Sequence, residues 1–528
     1  MKQNKRHTII ITLLSTLLFS LIWHLNSSAV CLEPEVVEKL REEGRLEQWM
    51  NRWESAKQRE MYEMAPQQLA RLVRRSFGDV DTLRPLVLCV DFSDNVHGKT
   101  TGAFDTLLFS KDFELSTGSF RDYYLENSYG QHDPQGGVYG WVRAPQTYSY
   151  YTWGASGLGD LPHNAQQLVQ DVLAAADPYV NFAEYDYDGN GWIDGLIVVH
   201  AGPGAEETGN DWHIWSHRWV INQQIRDGVW ISSYTMQPEV HANGSLIDIG
   251  VFCHEWGHDL GILWEEYDRD YSSWGLGDWS VMATGCYNNG GKTPAHHSAY
   301  CKYFLGWTNV ITVGSNQTNV EIIQAETSPV SYRLWTSGSV GSQFFMVENR
   351  QKTGFDSHLP GSGLLIYQVD VNKPGNDLEW CPGNPASSHF KTALEQADGD
   401  FKLEGCYGDS NQGDWGDPFP GYQNKPAFDD TTTPSSHDYY DDPTQVAVWN
   451  ISDSDSMMYA NMDILWSRPC LFLDSFIVDD SPPGGDGDGR PEGGETAEIY
   501  LTISNIWLPI NNTTVTASAD TEGIVFTD

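Results

Sequence analysis

Positive charge is what this sequence has least of. Its 528 residues hold 31 lysines and arginines against 72 aspartates and glutamates, a formal net charge of −41. Such a surface repels nucleic acid and anionic membranes and favours solubility and cation binding, so no nucleic-acid partner is expected. Long apolar runs are scarce too. The stretch from Ile9 to Trp23 is too short and too poorly flanked for a membrane span, and none is expected in the mature chain. Cysteine is sparse: eight residues give a weak disulfide argument, in which Cys381–Cys406 and Cys286–Cys301 are candidate pairs by proximity in sequence. Cys89 and Cys253 lie in apolar runs and read as buried thiols. What is abundant is aromatic: 21 tryptophans and 25 tyrosines argue for a folded chain in spite of the charge. The length suits about two to four domains.

The opening reads as an export signal over residues 1–29. Lys2, Lys5 and Arg6 form a basic start, the apolar run follows, and Ser27-Ser28-Ala29 supplies small residues for cleavage. Export implies a secreted, extracellular protein. Cys31 raises the question of lipid attachment, but Val30 before it is bulkier than that processing usually accepts. From Pro34 to Arg75 the pattern is charged and helical, with Val36, Val37, Leu40 and Leu46 near helical spacing and Gly44 interrupting them. Residues 30–83 are read as a pro-region covering an active site, or equally as a helical arm packed permanently on the next domain. A thiolate cap on a metal would need Cys31, which reads as far from any segment crossing a cleft.

The chemistry is concentrated in Cys253-His-Glu-Trp-Gly-His-Asp-Leu-Gly261. On a helix, His254 and His258 leave the same face one turn apart, where two ring nitrogens can reach one zinc ion. Glu255 lies beside the metal and can act as general base on a water. The third ligand is sought in the acidic cluster Glu265, Glu266 and Asp268. A residue three beyond the glycine is Trp264, which has no lone pair to offer, so Glu265 is expected at the metal, with Glu266 second. Gly277-Asp-Trp-Ser-Val-Met282 is similar to the methionine-containing turn beneath the zinc of metzincins, which places Met282 there.

The surrounding elements alternate. Leu86 to Val90 suits a buried strand, Ser119 to Gly130 a helix, Gly137 to Arg143 a strand, and Asn164 to Ala176 an amphipathic helix. Residues 84–308 are therefore read as a metzincin-like α+β zinc protease domain with a mixed sheet and an active-site helix. Asp186, Asp188, Asn190 and Asp194 follow the first part of a calcium loop and lead into a strand at Leu196. His213 and His217 also sit four apart, but lack the glutamate and glycine that follow the first pair, and read as packing or cleft lining. Residues 309–466 form a β-rich accessory module, with acidic loops at Asp398 to Asp400 and Asp414 to Asp417 that could bind calcium or simply be solvated. Residues 467–528 read as the start of a β-sandwich, with Asp486, Asp488 and Glu492 as calcium candidates and a C-terminus that stops in mid-pattern.

Taken in order, these segments resemble the immune inhibitor A family of secreted zinc metallopeptidases. The likeness runs through Val90-Asp-Phe-Ser-Asp94, Asp186 to Gly191, Ile214-Trp-Ser-His217, the His254 motif, Glu266-Tyr-Asp268, Trp279-Ser-Val-Met282 and Lys302 to Trp307. It continues through Glu348-Asn-Arg350, Leu359 to Tyr367, Gln396-Ala-Asp398 and Gly416 to Gly421. The resemblance implies an endopeptidase acting on proteins or peptides, made as a precursor, with catalytic zinc and structural calcium, and an accessory module packed on the catalytic domain. It makes His254 and His258 ligands and Glu255 the base. The competing expectation is a catalytically silent adhesion or carbohydrate-binding protein on a protease scaffold, suggested by the many tryptophans and opposed by the intact Glu255.

Overall fold

A computed structural model describes residues 28–58, 81–111, 118–261, 263–465, 471–479, 481–482 and 498–505. Most of the expected export signal, the calcium candidates Asp486, Asp488 and Glu492, and most of the expected sandwich lie outside the described residues.

The chain enters through a two-residue strand, β1 (Ser28–Ala29), followed by helices α1 (Pro34–Glu42) and α2 (Leu46–Gln58). Gly44 separates the helices at φ +66°, a conformation that costs a glycine little. The next region alternates strands and helices: β2 (Leu86–Asp91), α3 (Thr101–Phe109), α4 (Phe120–Asn127), β3 (Gly137–Arg143) and α5 (Ala165–Ala176). Strands β4 (Leu196–Pro203), β5 (His217–Arg226) and β6 (Val229–Val240) follow, then helices α6 (Gly250–Gly261) and α7 (Ala299–Phe304). Local chemistry explains the boundaries. Ser119 and Asp122 form a reciprocal capping box on α4, and Asn164 accepts from the Gln167 amide at the start of α5. Every residue of α6 is buried, as a helix with apolar residues on all sides requires.

The first sheet has the order β1-β5-β6-β4-β2-β3. Strands β3, β2, β4 and β6 are parallel, β5 is antiparallel to β6, and β1 is antiparallel to β5. Strand β2 is buried at all six positions, which accounts for its uninterrupted apolar sequence.

Beyond Trp307 the chain builds two antiparallel-rich sheets. One contains β7 (Asn309–Thr312), β9 (Val330–Leu334), β10 (Gln343–Arg350), β11 (Gly363–Asp370) and β12 (Thr392–Leu394); β8 (Gln317–Ile323) belongs to the other, with β13 (Ala427–Phe428), β14 (Ala447–Trp449) and β15 (Met457–Asp463). Strands β10 and β11 are buried on both faces. Phe344, Met346, Leu365, Tyr367 and Val369 join the core shared with the first sheet and α6, whereas Phe345, Val347, Leu364 and Ile366 join Phe428, Val448 and Met458 in a second core. Strands β16 (Leu471–Asp479) and β17 (Glu498–Asn505) form an antiparallel pair. The architecture is a mixed α+β fold. Among the described residues no helix is long and apolar enough to cross a membrane.

Candidate active site

Helix α6 carries His254 and His258 one turn apart, and both side chains are buried. Each imidazole is fixed through its Nδ1: that of His254 lies 2.8 Å from the Val281 carbonyl and that of His258 2.7 Å from the Leu263 carbonyl. A carbonyl only accepts, so both Nδ1 atoms carry the hydrogen and both Nε2 lone pairs face inward. The two Nε2 atoms are 3.1 Å apart. Glu265 completes the triangle, with its two oxygens 3.3 Å from His254 Nε2 and 3.3 Å from His258 Nε2.

These distances test the fit of a metal. Tetrahedral zinc with bonds of about 2.0–2.1 Å holds its ligand atoms roughly 3.3–3.4 Å apart. Two inward lone pairs and a buried carboxylate repel one another unless a cation lies between them, and neither Glu265 oxygen has a hydrogen-bond donor. The donor set of two imidazoles and one carboxylate therefore fits zinc.

Glu266 lies elsewhere. Its carboxylate accepts from Ser280 Oγ at 2.6 Å and Ser298 Oγ at 2.7 Å, and its amide donates to the Met282 carbonyl at 2.9 Å. It braces the turn under the histidines, so of the two glutamates only Glu265 is within reach of a metal. Met282 is buried beneath α6, and a Cβ on Gly257 would stand 2.7 Å from its Sδ and 3.1 Å from His297 Nε2. Only glycine fits between the two histidines at that height. Trp264, one residue before Glu265, packs against Tyr300 and Phe304.

Glu255 is buried, and burial first, then the nearby Glu265 charge, push its carboxyl well above the usual range. Its Oε1 accepts the Val30 amide at 2.8 Å, a donor shared with the Ser216 carbonyl at 3.2 Å. Val30 belongs to a segment that fills the cleft. Ser28 and Ala29 pair with Arg218 and His217 on β5, which would otherwise be the edge of the sheet. Trp215 Nε1 donates to the Val30 carbonyl, Tyr267 OH to the Ala29 carbonyl and Tyr287 OH to the Cys31 carbonyl, while the Leu32 amide donates to Tyr271 OH. Val30, Cys31 and Leu32 are fully buried.

Cys31 thus lies inside the cleft, not far from it as its sequence position suggests, and the Cys31 thiol meets Cys286 rather than the histidines. The expected Cys286–Cys301 pairing is absent, since both thiols are free; Cys286 faces the N-terminal segment and Cys301 sits on α7. Cys381 and Cys406 are bonded. Cys89 and Cys253 are buried thiols.

The remaining candidates disperse. Asp188 accepts from the Asn190 amide and side chain, Asn190 from the Trp192 amide, Asp186 from the Gly191 amide and Asp194 from the Arg84 amide. The loop is thus a turn closed by its own amides, whose three carboxylates do not converge. Three others do: Asp398, Asp414 and Asp417, where the buried Asp398 Oδ2 has no donor. His213 faces Thr208 and His217 faces Trp215 and Tyr234, so these two histidines do not meet. Sequence reasoning missed Trp215, Tyr267, Tyr271 and Tyr287 as the cleft lining; the aromatic density on both sides of the motif was the available signal.

Residues 74–310 match the family model described as immune inhibitor A peptidase M6, catalytic domain. The chain is 32% identical over 302 residues to the protein named immune inhibitor A from Bacillus thuringiensis subsp. alesti, covering 46% of this chain and 43% of that protein. It is 33% identical over 222 residues to the pre-pro-metalloprotease PrtV of Vibrio cholerae serotype O1, covering 35% of this chain and 23% of that one. The chain spans less than half the length of either relative.

Proposed function

We propose that this chain, whose residues 74–310 match the catalytic-domain model of immune inhibitor A M6 peptidases, is an exported zinc-dependent endopeptidase held latent by the cleft-filling segment that begins at Val30. The observation that carries the reading is the convergence of His254 Nε2, His258 Nε2 and Glu265 on one point, with Glu255 next in sequence to the first ligand.

His254, His258 and Glu265 would hold the zinc. When bound, zinc would polarise a carbonyl and lower the pKa of a water towards about 7. Glu255, next in sequence to the first ligand, is suited by position to take a proton from the attacking water and return it to the leaving amine nitrogen. The free edge of β5 would bind a substrate as an added strand, the mode that Ser28 and Ala29 use. The buried aromatic wall of Trp215, Tyr267 and Tyr271 would exclude water and orient the scissile bond. No side-chain nucleophile is needed, so no covalent acyl-enzyme forms.

While Val30 donates to Glu255 and Val30, Cys31 and Leu32 fill the cleft, a substrate cannot reach that carboxylate, which supports reading residues 30–83 as a pro-region. Calcium enters only as a structural ion, and Asp398, Asp414 and Asp417 support that assignment better than the Asp186 loop does.

The test is hydrolysis of unfolded casein by protein freed of residues 28–58. Cleavage that a zinc chelator stops, that zinc restores and that Glu255→Ala lacks supports the proposal. Chelator-insensitive cleavage, or none from protein carrying stoichiometric zinc, defeats it.

A further inference from the structure

Two thiols that belong to different parts of the chain meet at the floor of the cleft. Cys31 lies in the covering segment and Cys286 in the short helix after the methionine turn, Thr284–Gly291. The two thiols adjoin, with the Tyr287 side chain, next to Cys286 in sequence, on the Cys31 carbonyl, and each thiol is fully buried. The surroundings hold both backbones. Tyr287 OH donates to the Cys31 carbonyl, the Leu32 amide is held by Tyr271, and the Cys286 carbonyl lies so close to Gly250 that a Cβ there would come within 1.9 Å of it. Among the described residues, the nearest alternative in sequence, Cys301, faces Ser298 and Glu266 instead. The chain also carries an oxidised cysteine pair, Cys381–Cys406, so it folds where disulfides form and persist.

We infer that Cys31 and Cys286 are a disulfide site, and that the bond latches the covering segment into the cleft. The inference rests on the latency reading above. Adjoining thiols need only close to the bonded distance of about 2.05 Å. The step is thiol–disulfide exchange with a disulfide donor, a small-molecule disulfide or a dithiol oxidoreductase of the exported compartment. One thiolate attacks the donor disulfide and releases the first donor thiol. The second thiolate attacks the mixed disulfide and releases the other, so two protein thiols become one disulfide and the donor is reduced to two thiols. Burial of both sulfurs means that the exchange accompanies docking of the segment and does not follow it. The functional consequence is a lock with two keys. Cutting the chain after α2 leaves residues 28–58 still bonded to the catalytic region through Cys286, and activity then requires a reductant as well as a protease.

The test uses the full chain exported into an oxidising compartment and purified without reductant. Free thiols are alkylated in denaturant at low pH, the protein is digested with pepsin, and peptides are mapped by mass spectrometry. A peptide joining Cys31 to Cys286, lost on reduction, is the expected result. Alkylation of both cysteines, or linkage of either to another cysteine, overturns the inference whether or not the protein is a protease. The second arm inserts a specific protease site between Gln58 and Asp81 and follows casein hydrolysis after cleavage. Activity should rise at least tenfold when a phosphine reductant is added, and the Cys31→Ser chain, once cut, should reach that level without reductant. Equal activity of the cut chain with and without reductant overturns the latch. Absence of hydrolysis in every sample defeats the peptidase reading, and the peptide map still decides the disulfide.

Discussion

The backbone amide of Val30 donates a 2.8 Å hydrogen bond to Oε1 of Glu255, across 225 residues of sequence. The group proposed to activate water is thereby held by the chain's own N-terminal segment. Protein cut after α2 and freed of residues 28–58 should hydrolyse casein, and the intact chain should not, by at least a hundredfold in initial rate. Equal rates for the two would show that the segment does not block the site.

Glu255 and the three converging donors should separate cleanly on substitution. Glu255→Gln should lower the activated enzyme's kcat by roughly 10²–10⁴-fold with zinc content unchanged, the usual scale for a general base. Glu265→Ala and His258→Ala should lower zinc content itself, measured by elemental analysis after dialysis. The Glu266→Gln chain should keep its zinc, because that carboxylate binds Ser280 and Ser298.

Gly257→Ala tests the packing under the histidines. The added methyl would stand 2.7 Å from Met282 Sδ, so α6 or the methionine turn must shift. A destabilisation of about 1–3 kcal/mol is expected from overpacking of this kind, with a loss of zinc affinity. Thermal unfolding and zinc titration read the two effects separately, and unchanged values in both would show that the turn yields freely.

Docking of the segment should depend on pH. Burial first, then the charges of Glu207 and Glu206, push Glu33 up to about 7 from its ordinary 4.5, with His241 opposing them. The docked form holds this proton more tightly than the undocked one. Docking is therefore strongest below pH 4.5 and weakens as pH rises towards 7. Hydrogen exchange in residues 28–42, corrected for intrinsic rates, should accelerate across that window, and Glu33→Gln should flatten the change.

The join between the catalytic region and the β-rich module contains a buried charge network. Arg350 donates to Asp356 through two nitrogens at 2.7 Å and to Glu348 at 3.2 Å, and Asp356 also accepts the His296 amide at 2.9 Å. Arg350→Ala leaves buried carboxylates uncompensated and should cost about 3–5 kcal/mol in a denaturant titration. A loss under 1 kcal/mol would mean that water or a cation replaces the guanidinium.

How much of this was legible beforehand depended on range. The placement of His254, Glu255 and His258 on one helix could be read because helical spacing is local and the two histidines lie one turn apart. The helices flanking Gly44 and the strand after Asp194 were legible for the same reason. The identity of the orienting groups was not, since the Val281 and Leu263 carbonyls are backbone atoms with no side-chain signature. Cys31 was misplaced because pairing by sequence proximity favours Cys301 for Cys286, whereas the contact that forms spans 255 positions. The acidic run at Asp186 reads as a metal loop because aspartates suit both ion binding and Asx turns; the Gly191 and Asn190 amides bond Asp186 and Asp188, while Asp186 Oδ1 is left without a donor. Gly363 to Val369, the body of β11, reads as an apolar strand, which conceals that alternate residues serve two different cores.

That shared sheet separates ancestry from folding. The matched family domain ends at residue 310, yet Phe344, Met346, Leu365, Tyr367 and Val369 help to complete the core in which α6 is embedded. A chain cut at the edge of the homology would uncover that apolar face to water. The heritable unit and the cooperative unit of this protein end at different residues, and excising one by the borders of the other should yield aggregate rather than enzyme.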